Sequence, residues 1–290
     1  MRCVVVGRGA WGSAFTHLLR SRGHDVFVAH RETLGTAPFE EADLVVLAVP
    51  SSAYREVLAK VVGEAPILSL TKGLDPETGA RLSTLVFGRP VAVLSGPNMA
   101  EEVVAGLPGA TVIASEDDTL ATRLQEAINS LLFRVYVNDD VVGVELCGAA
   151  KNVIALAAGA IDGLRLGDNA KAALITRGLV EMARLGEAAG AAPETFAGLA
   201  GMGDLMVTCF HPSGRNRRAG ELIALGATPE EAKAQIGQVV EGLTTAPVLR
   251  DLSHRIGVEL PIIEGVCSVL DGHPLAELAE SLMGRRPSRE

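Results

Sequence analysis

The chain has 290 residues, 48% of them hydrophobic and 21% charged, and carries a net charge of −9. That length favours two domains over one. The acidic balance argues against a general binder of nucleic acid or anionic membrane, because a polyanion wants a basic face; it leaves room for a small anion held by a few local cations.

The first half alternates strands and helices. β-Branched runs predict strands at Cys3–Val6, Val26–Ala29, Leu44–Val49, Ile67–Leu70, Val91–Leu94, Ala110–Ala114 and Arg134–Val137. Helices are predicted between several of them, at Gly12–Ser21, Ala53–Val62 and Asp118–Leu132. Near-continuous apolar strands alternating with helices imply a parallel sheet covered on both faces. After Asn138–Gly143 no strand is convincing. Helical segments follow at Val141–Ile161, Asn169–Ala189, Pro229–Ile236, Thr244–Ile256 and Pro261–Leu270. The fold class expected is therefore α/β, a doubly wound sheet (residues 1–139) followed by an all-α domain (residues 140–290). The tail Gly284–Glu290 is polar and expected to fray.

The four cysteines, Cys3, Cys147, Cys209 and Cys267, stand singly. Neither a zinc site nor a disulfide framework is indicated, and a reduced, cytoplasmic setting is expected. The opening "MRCVVVGRG" enters a strand at once, without the apolar run of a signal peptide. No run of ~18 uninterrupted apolar residues predicts a membrane span. The histidines form no spaced set with carboxylates, so no metal is expected.

"CVVVGRGAWGSAFTHLL" reads as strand, then Gly7-x-Gly9-x-x-Gly12, then helix. The glycines permit a tight turn and close approach to a pyrophosphate, which meets the free N–H groups of the helix start. The second strand ends at Ala29–His30–Arg31, with Glu32 behind. An acid at such a strand end would take the ribose hydroxyls of NAD. Arg31 instead suits a 2′-phosphate, so NADPH is the preferred cofactor and NADH the alternative; a solvated loop cation is the bland reading of Arg31.

Five lysines are present, so the place of each is informative. Lys72 follows an apolar strand, where ligands bind in open α/β sheets. "SGPNMAEEV" follows the next strand; its Gly96–Pro97 turn either lines the same cleft or merely connects strand to helix. Lys151 lies within "GAAKNVIALAAGAI", among small and apolar residues. Burial disfavours the charged ammonium, which tunes a lysine toward proton transfer near neutral pH. Snorkelling to solvent is the alternative. Asn152 adds an amide able to orient a substrate oxygen. Asp204 follows a Gly-x-Gly turn and is placed to hold Lys151. "GRNRR" supplies Arg215, Asn216, Arg217 and Arg218 as an anion cradle or as an exposed basic helix start. Glu241 alone says little.

Together these motifs resemble the bacterial NAD(P)-dependent glycerol-3-phosphate dehydrogenase family. The matching stretches are "GRGAWGSA", "LTKGLDPETG", "SGPNMAEEV", "GVELCGAAKNVIALAAGAIDGL", "ALITRGLVEMARLG", "AGMGDLMVTC", "GRNRRAG", "QVVEG" and "LPIIEGV", in the family's order over nearly the whole chain. The resemblance implies reduction of dihydroxyacetone phosphate to sn-glycerol 3-phosphate for phospholipid synthesis, a Rossmann-type domain, a helical second domain and a homodimer. It implies Lys151 as the proton donor. Lys72, Gly96, Asn98, Asn152, Asp204, Gly214, Arg215 and Asn216 are then expected about the substrate. Ala10, Trp11, His30, Arg31, Ala100, Val239 and Glu241 are expected at the cofactor with Gly7, Gly9 and Gly12, and Lys72 and Arg215 near both ligands. The chain departs from the family in three places. The Arg31–Asp43 segment is short, so part of the sheet or a covering helix is expected to be missing. Asn98 and Gly214 stand where the family often has a hydroxyl residue. Two other readings remain at this point: a phosphogluconate-type β-hydroxyacid dehydrogenase of the same two-domain plan, and a non-catalytic nucleotide-sensing module.

Overall fold

Runs of Val, Ile and Leu become strands where both faces of the backbone can be covered. The computed structural model describes residues 1–275, so the expected frayed tail Gly284–Glu290 lies outside them. Seven strands form one sheet: β1 (Arg2–Val6), β2 (Asp25–Ala29), β3 (Leu44–Leu47), β4 (Ile67–Ser69), β5 (Val91–Ser95), β6 (Gly109–Ala114) and β7 (Phe133–Asn138). Their order is β2-β1-β3-β4-β5-β6-β7. Alternate residues face opposite sides. Val5, Val46 and Leu68 pack with Phe15 and Leu19 of α1 (Ala10–Ser21), and Val4, Val45 and Leu47 pack with Tyr54 of α2 (Ser51–Leu58).

Two features correct or sharpen the expectation. The sheet is not wholly parallel: β6 runs against β5, with Leu94 opposite Ile113. The helix between them, α3 (Ala100–Val104), has five residues. Between β2 and β3 lie only two single-turn 3₁₀ helices, Leu34–Thr36 and Phe39–Glu41. Among the described residues β2 is consequently the sheet edge, where the usual dinucleotide-binding order places a further strand outside it.

Beyond α4 (Asp118–Ile128) and β7 the described chain is helical: α5 (Val141–Gly163), α6 (Gly167–Ala188), α7 (Pro193–Ala197), α8 (Asp204–Phe210), α9 (Arg215–Ala224), α10 (Pro229–Ile236), α11 (Glu241–Ile256) and α12 (Pro261–Leu270). The side chain of Asp140 caps α5 by accepting from Gly143 N–H at 2.8 Å. By length and composition α5 would cross a membrane, but 89% of its most apolar window is buried within the protein. It is the core helix of the second domain. Its closest neighbour is α9: a Cβ on Gly159 would lie 1.8 Å from the Arg217 carbonyl oxygen, and one on Gly220 1.8 Å from that of Leu156. Only glycine at both positions lets the two backbones touch. The helices α7 and α8 were not anticipated, the stretch before Asp204 reading as a Gly-x-Gly turn; α9 begins where one of the two readings of "GRNRR" put a basic helix start.

Candidate active site

The glycine-rich turn is built by two close approaches and one open position. A Cβ on Gly7 (φ +114°) would lie 2.3 Å from the Ala48 carbonyl oxygen, and one on Gly12 2.2 Å from that of Gly7. These glycines press α1 against β1 and β3. A Cβ on Gly9 would meet nothing within 4 Å. No side chain caps α1, so its first N–H groups stay available to an anion. Beside it, Trp11 Nε1 is buried without a hydrogen-bond partner, and Trp11 and Ala100 pack on the same core. A cavity of about 430 Å³ opens next to Gly7, walled by Val49 and Val57 and rimmed by His30, Arg31, Glu32 and Lys60. An apolar slot with a rim of mixed charge, in which Lys60 is paired with Glu56 and Arg31 stands beside Glu32, next to an open glycine turn, suits the adenosine end of a dinucleotide.

The second half of the site is a web on one carboxylate. Asp204 opens α8 just after a π-helical turn, Leu199–Gly203. Its Oδ2 accepts from Lys72 Nζ at 2.7 Å, Ser95 Oγ at 3.0 Å and Gly96 N–H at 3.2 Å. Its Oδ1 accepts from Lys151 Nζ. Lys151 also donates to Thr208 Oγ1 at 2.8 Å, and Lys72 to Asn98 Oδ1 at 3.2 Å. Lys151 is 5% exposed, so it does not snorkel. Burial pulls its ammonium down to about 8, against the opposing charge of Asp204 and with the help of Lys72. Burial raises the Asp204 carboxyl, but the two ammonium groups outweigh it and hold it at about 2. A saturated carboxylate thus keeps two cations side by side, one of them poised to lose its proton near neutral pH.

An amide relay extends from this web. Asn152 Nδ2 donates to the Lys72 carbonyl at 3.1 Å, Asn216 Nδ2 to Asn152 Oδ1 at 2.8 Å, and Gly242 N–H to Asn216 Oδ1 at 2.9 Å. Gly214 is the N-cap of α9 and Arg215 its first residue. Arg215 is exposed and donates to the Val239 carbonyl at 2.8 Å. Glu241 accepts from the Ser51 N–H at 3.1 Å and Oγ at 2.6 Å, closing the start of α2. Burial pushes its carboxyl up, while Ser51 and Arg215 pull it down less strongly.

The structure therefore brings Lys72, Gly96, Asn98, Lys151, Asn152, Asp204 and Asn216 into one cluster. His30 and Arg31 stand apart at the cavity rim beyond Gly7. Ser95, Thr208 and Ser51 escaped the sequence reading. A signal existed for Thr208: it lies four residues after Asp204, one turn along α8. Ser95 and Ser51 had none, since their partners lie far along the chain.

A sheet with an open glycine turn, joined to helices that bury a lysine beside the strand ends, is the fold of a dinucleotide-dependent oxidoreductase. The family models described as NAD-dependent glycerol-3-phosphate dehydrogenase N-terminus and C-terminus match residues 35–121 and 140–279. The chain belongs to that family. Glycerol-3-phosphate dehydrogenase [NAD(P)+] of Halorhodospira halophila is 42% identical, with 99% of this chain and 97% of the relative covered. That of Symbiobacterium thermophilum is 50% identical over 88% of this chain and 78% of the relative. The crystal structure of glycerol-3-phosphate dehydrogenase from Coxiella burnetii superposes with a TM-score of 0.93 at 34% identity, covering 98% and 99% of the two chains. These matches decide against the phosphogluconate-type and sensing-module alternatives.

Proposed function

We propose that this chain reduces dihydroxyacetone phosphate to sn-glycerol 3-phosphate, with NADPH preferred over NADH. The observation that carries the reading is the Asp204 carboxylate holding Lys72 and Lys151 together at the ends of β4 and β5. A nicotinamide held beside Gly9, Trp11 and Ala100 would supply the hydride. The protein's own residues do the rest. Lys151 stabilises negative charge on the ketone oxygen and gives it the proton on Nζ. Asp204 and Thr208 hold that Nζ in place. Lys72, Asn98 and Asn152 orient the substrate, and Arg215 and Asn216, at the start of α9, take its phosphate. Gly9, Trp11, Arg31, Ala100, Val239 and Glu241 line the cofactor's path.

Among the described residues the last strand ends at Asn138, and Asp140 caps α5; we accordingly divide the chain into residues 1–139 and 140–290. The four cysteines are free and buried, which supports a reducing cytoplasm, where the product would feed phospholipid synthesis. A homodimer is the assembly expected from the family resemblance. The test is to offer NADPH and NADH with dihydroxyacetone phosphate and with β-keto acids, and to follow loss of the reduced cofactor. Turnover confined to dihydroxyacetone phosphate is expected; turnover of a β-keto acid with none on dihydroxyacetone phosphate would contradict the proposal.

A further inference from the structure

Arg217 stands two residues past Arg215, and the sequence groups it with Arg215 in an anion cradle. In the structure its guanidinium is engaged elsewhere. Nη1 donates to Asp162 Oδ2 at 2.7 Å, and Nη2 donates to the Pro212 carbonyl at 3.0 Å and lies 3.2 Å from Glu221. Asp162 is in the last turn of α5 and also accepts from Lys171 Nζ of α6, at 3.0 and 2.8 Å. Lys171 is buried, and its ammonium sits 4.8 Å from the centre of the Phe210 ring at the end of α8. The ends of α5 and α8, α6 and the start of α9 thus meet around one carboxylate.

Pro212 lies in the short turn from α8 to α9, whose Gly214 N–H donates to the His211 carbonyl at 3.0 Å. Asp204 stands at the far end of α8, and Arg215 begins α9. The geometry of that turn therefore fixes the separation between the lysine web and Arg215. A planar guanidinium that grips a carboxylate with one nitrogen and a carbonyl with another fixes an angle as well as a distance. Backbone contact between α5 and α9 at Gly159 and Gly220 leaves α9 little room to slide, so the remaining freedom is in the turn.

We propose that Arg217 is a positioning residue. By bridging Asp162 to the Pro212 carbonyl it sets the α8–α9 turn, and so places the Arg215 guanidinium against the substrate phosphate. This rests on the reading of Arg215 as the phosphate ligand. Arg217→Met is the suitable variant, because Asp162 keeps Lys171 as its partner; Asp162→Asn would strand two cations in a largely buried place.

The test is a double-mutant cycle. kcat/KM is measured with dihydroxyacetone phosphate and with unphosphorylated dihydroxyacetone for the wild type, Arg215→Ala, Arg217→Met and the double variant. Arg215→Ala is expected to cost ~10²-fold or more on the phosphorylated substrate and little on the other. Arg217→Met is expected to cost ~10-fold or more on the phosphorylated substrate alone, and nothing further once Arg215 is gone. Arg217→Lys, a point charge that reaches one partner and not both, should recover part of the loss; it replaces Arg217→Met in the cycle, on the same criteria, if that variant does not fold. Equal losses on both substrates for Arg215→Ala would end the phosphate-ligand reading and this inference with it. A selective Arg215→Ala combined with an Arg217 loss that is multiplicative, equal on both substrates or absent would overturn the positioning role alone.

Discussion

Gly9 and Gly12 sit in one short motif and are needed for different reasons. A side chain at Gly12 would strike the Gly7 carbonyl, whereas a side chain at Gly9 would enter open space. Gly9→Ala should therefore cost under about 1 kcal/mol of stability, the range of an altered N-cap. It should still weaken NADPH binding by roughly 10-fold or more, about 1.4 kcal/mol, because its methyl group occupies the space offered to the pyrophosphate. Calorimetric titration and thermal melts check both halves; unchanged affinity would remove the dinucleotide from that turn. At the cavity rim, Arg31→Asp removes a cation and adds an anion. It should cost on the order of 2–4 kcal/mol for NADPH and much less for NADH. Equal dissociation constants for NADPH before and after the change would release Arg31 from the 2′-phosphate.

At the scale of elements, the α5–α9 contact is the tightest seam near the site. Gly220→Ala sets a methyl group against the Leu156 carbonyl. It should destabilise by roughly 1–3 kcal/mol or more, the range for overpacking, and a denaturant melt with an unchanged midpoint would contradict the packing described. The strands were legible in the sequence because burial on both faces leaves an uninterrupted apolar run, as at Leu44–Leu47. The reversal of β6 was not, since the pattern of a buried strand is the same in either direction. The helix α8 was hidden by glycine, since Gly201 and Gly203 serve a π-helical turn; the start of α9 was legible only as one of two readings of "GRNRR", with Gly214 as its cap. The buried placement of Lys151 was legible from its small neighbours. The web around it was only partly so.

The reason appears at the scale of the whole molecule, where the site is assembled from distant segments. Asp204 of α8 gathers Lys72, Ser95 and Gly96 from the sheet and Lys151 from α5. Elsewhere the same two halves are fastened by Glu241 on Ser51, by Glu145 on Ser83 and Arg81, and by Arg255 on the Thr78 carbonyl. Each fastening joins residues far apart in the chain, so spacing alone does not reveal it. The arrangement has one central consequence: Lys151, drawn down to about 8 by burial, must carry its proton for ketone reduction to proceed. The most direct test is kcat/KM for reduction of dihydroxyacetone phosphate, which reports the free enzyme's ionisations, from about pH 7 to about pH 10, in the wild type and in Lys151→Ala. The wild-type rate should be level at low pH and fall as pH rises through about 8, with the loss of one proton. Lys151→Ala should lie ~10²-fold or more below it at neutral pH and lack that fall. A near-native kcat/KM in the variant, or the same fall near pH 8 without the lysine, would contradict the account.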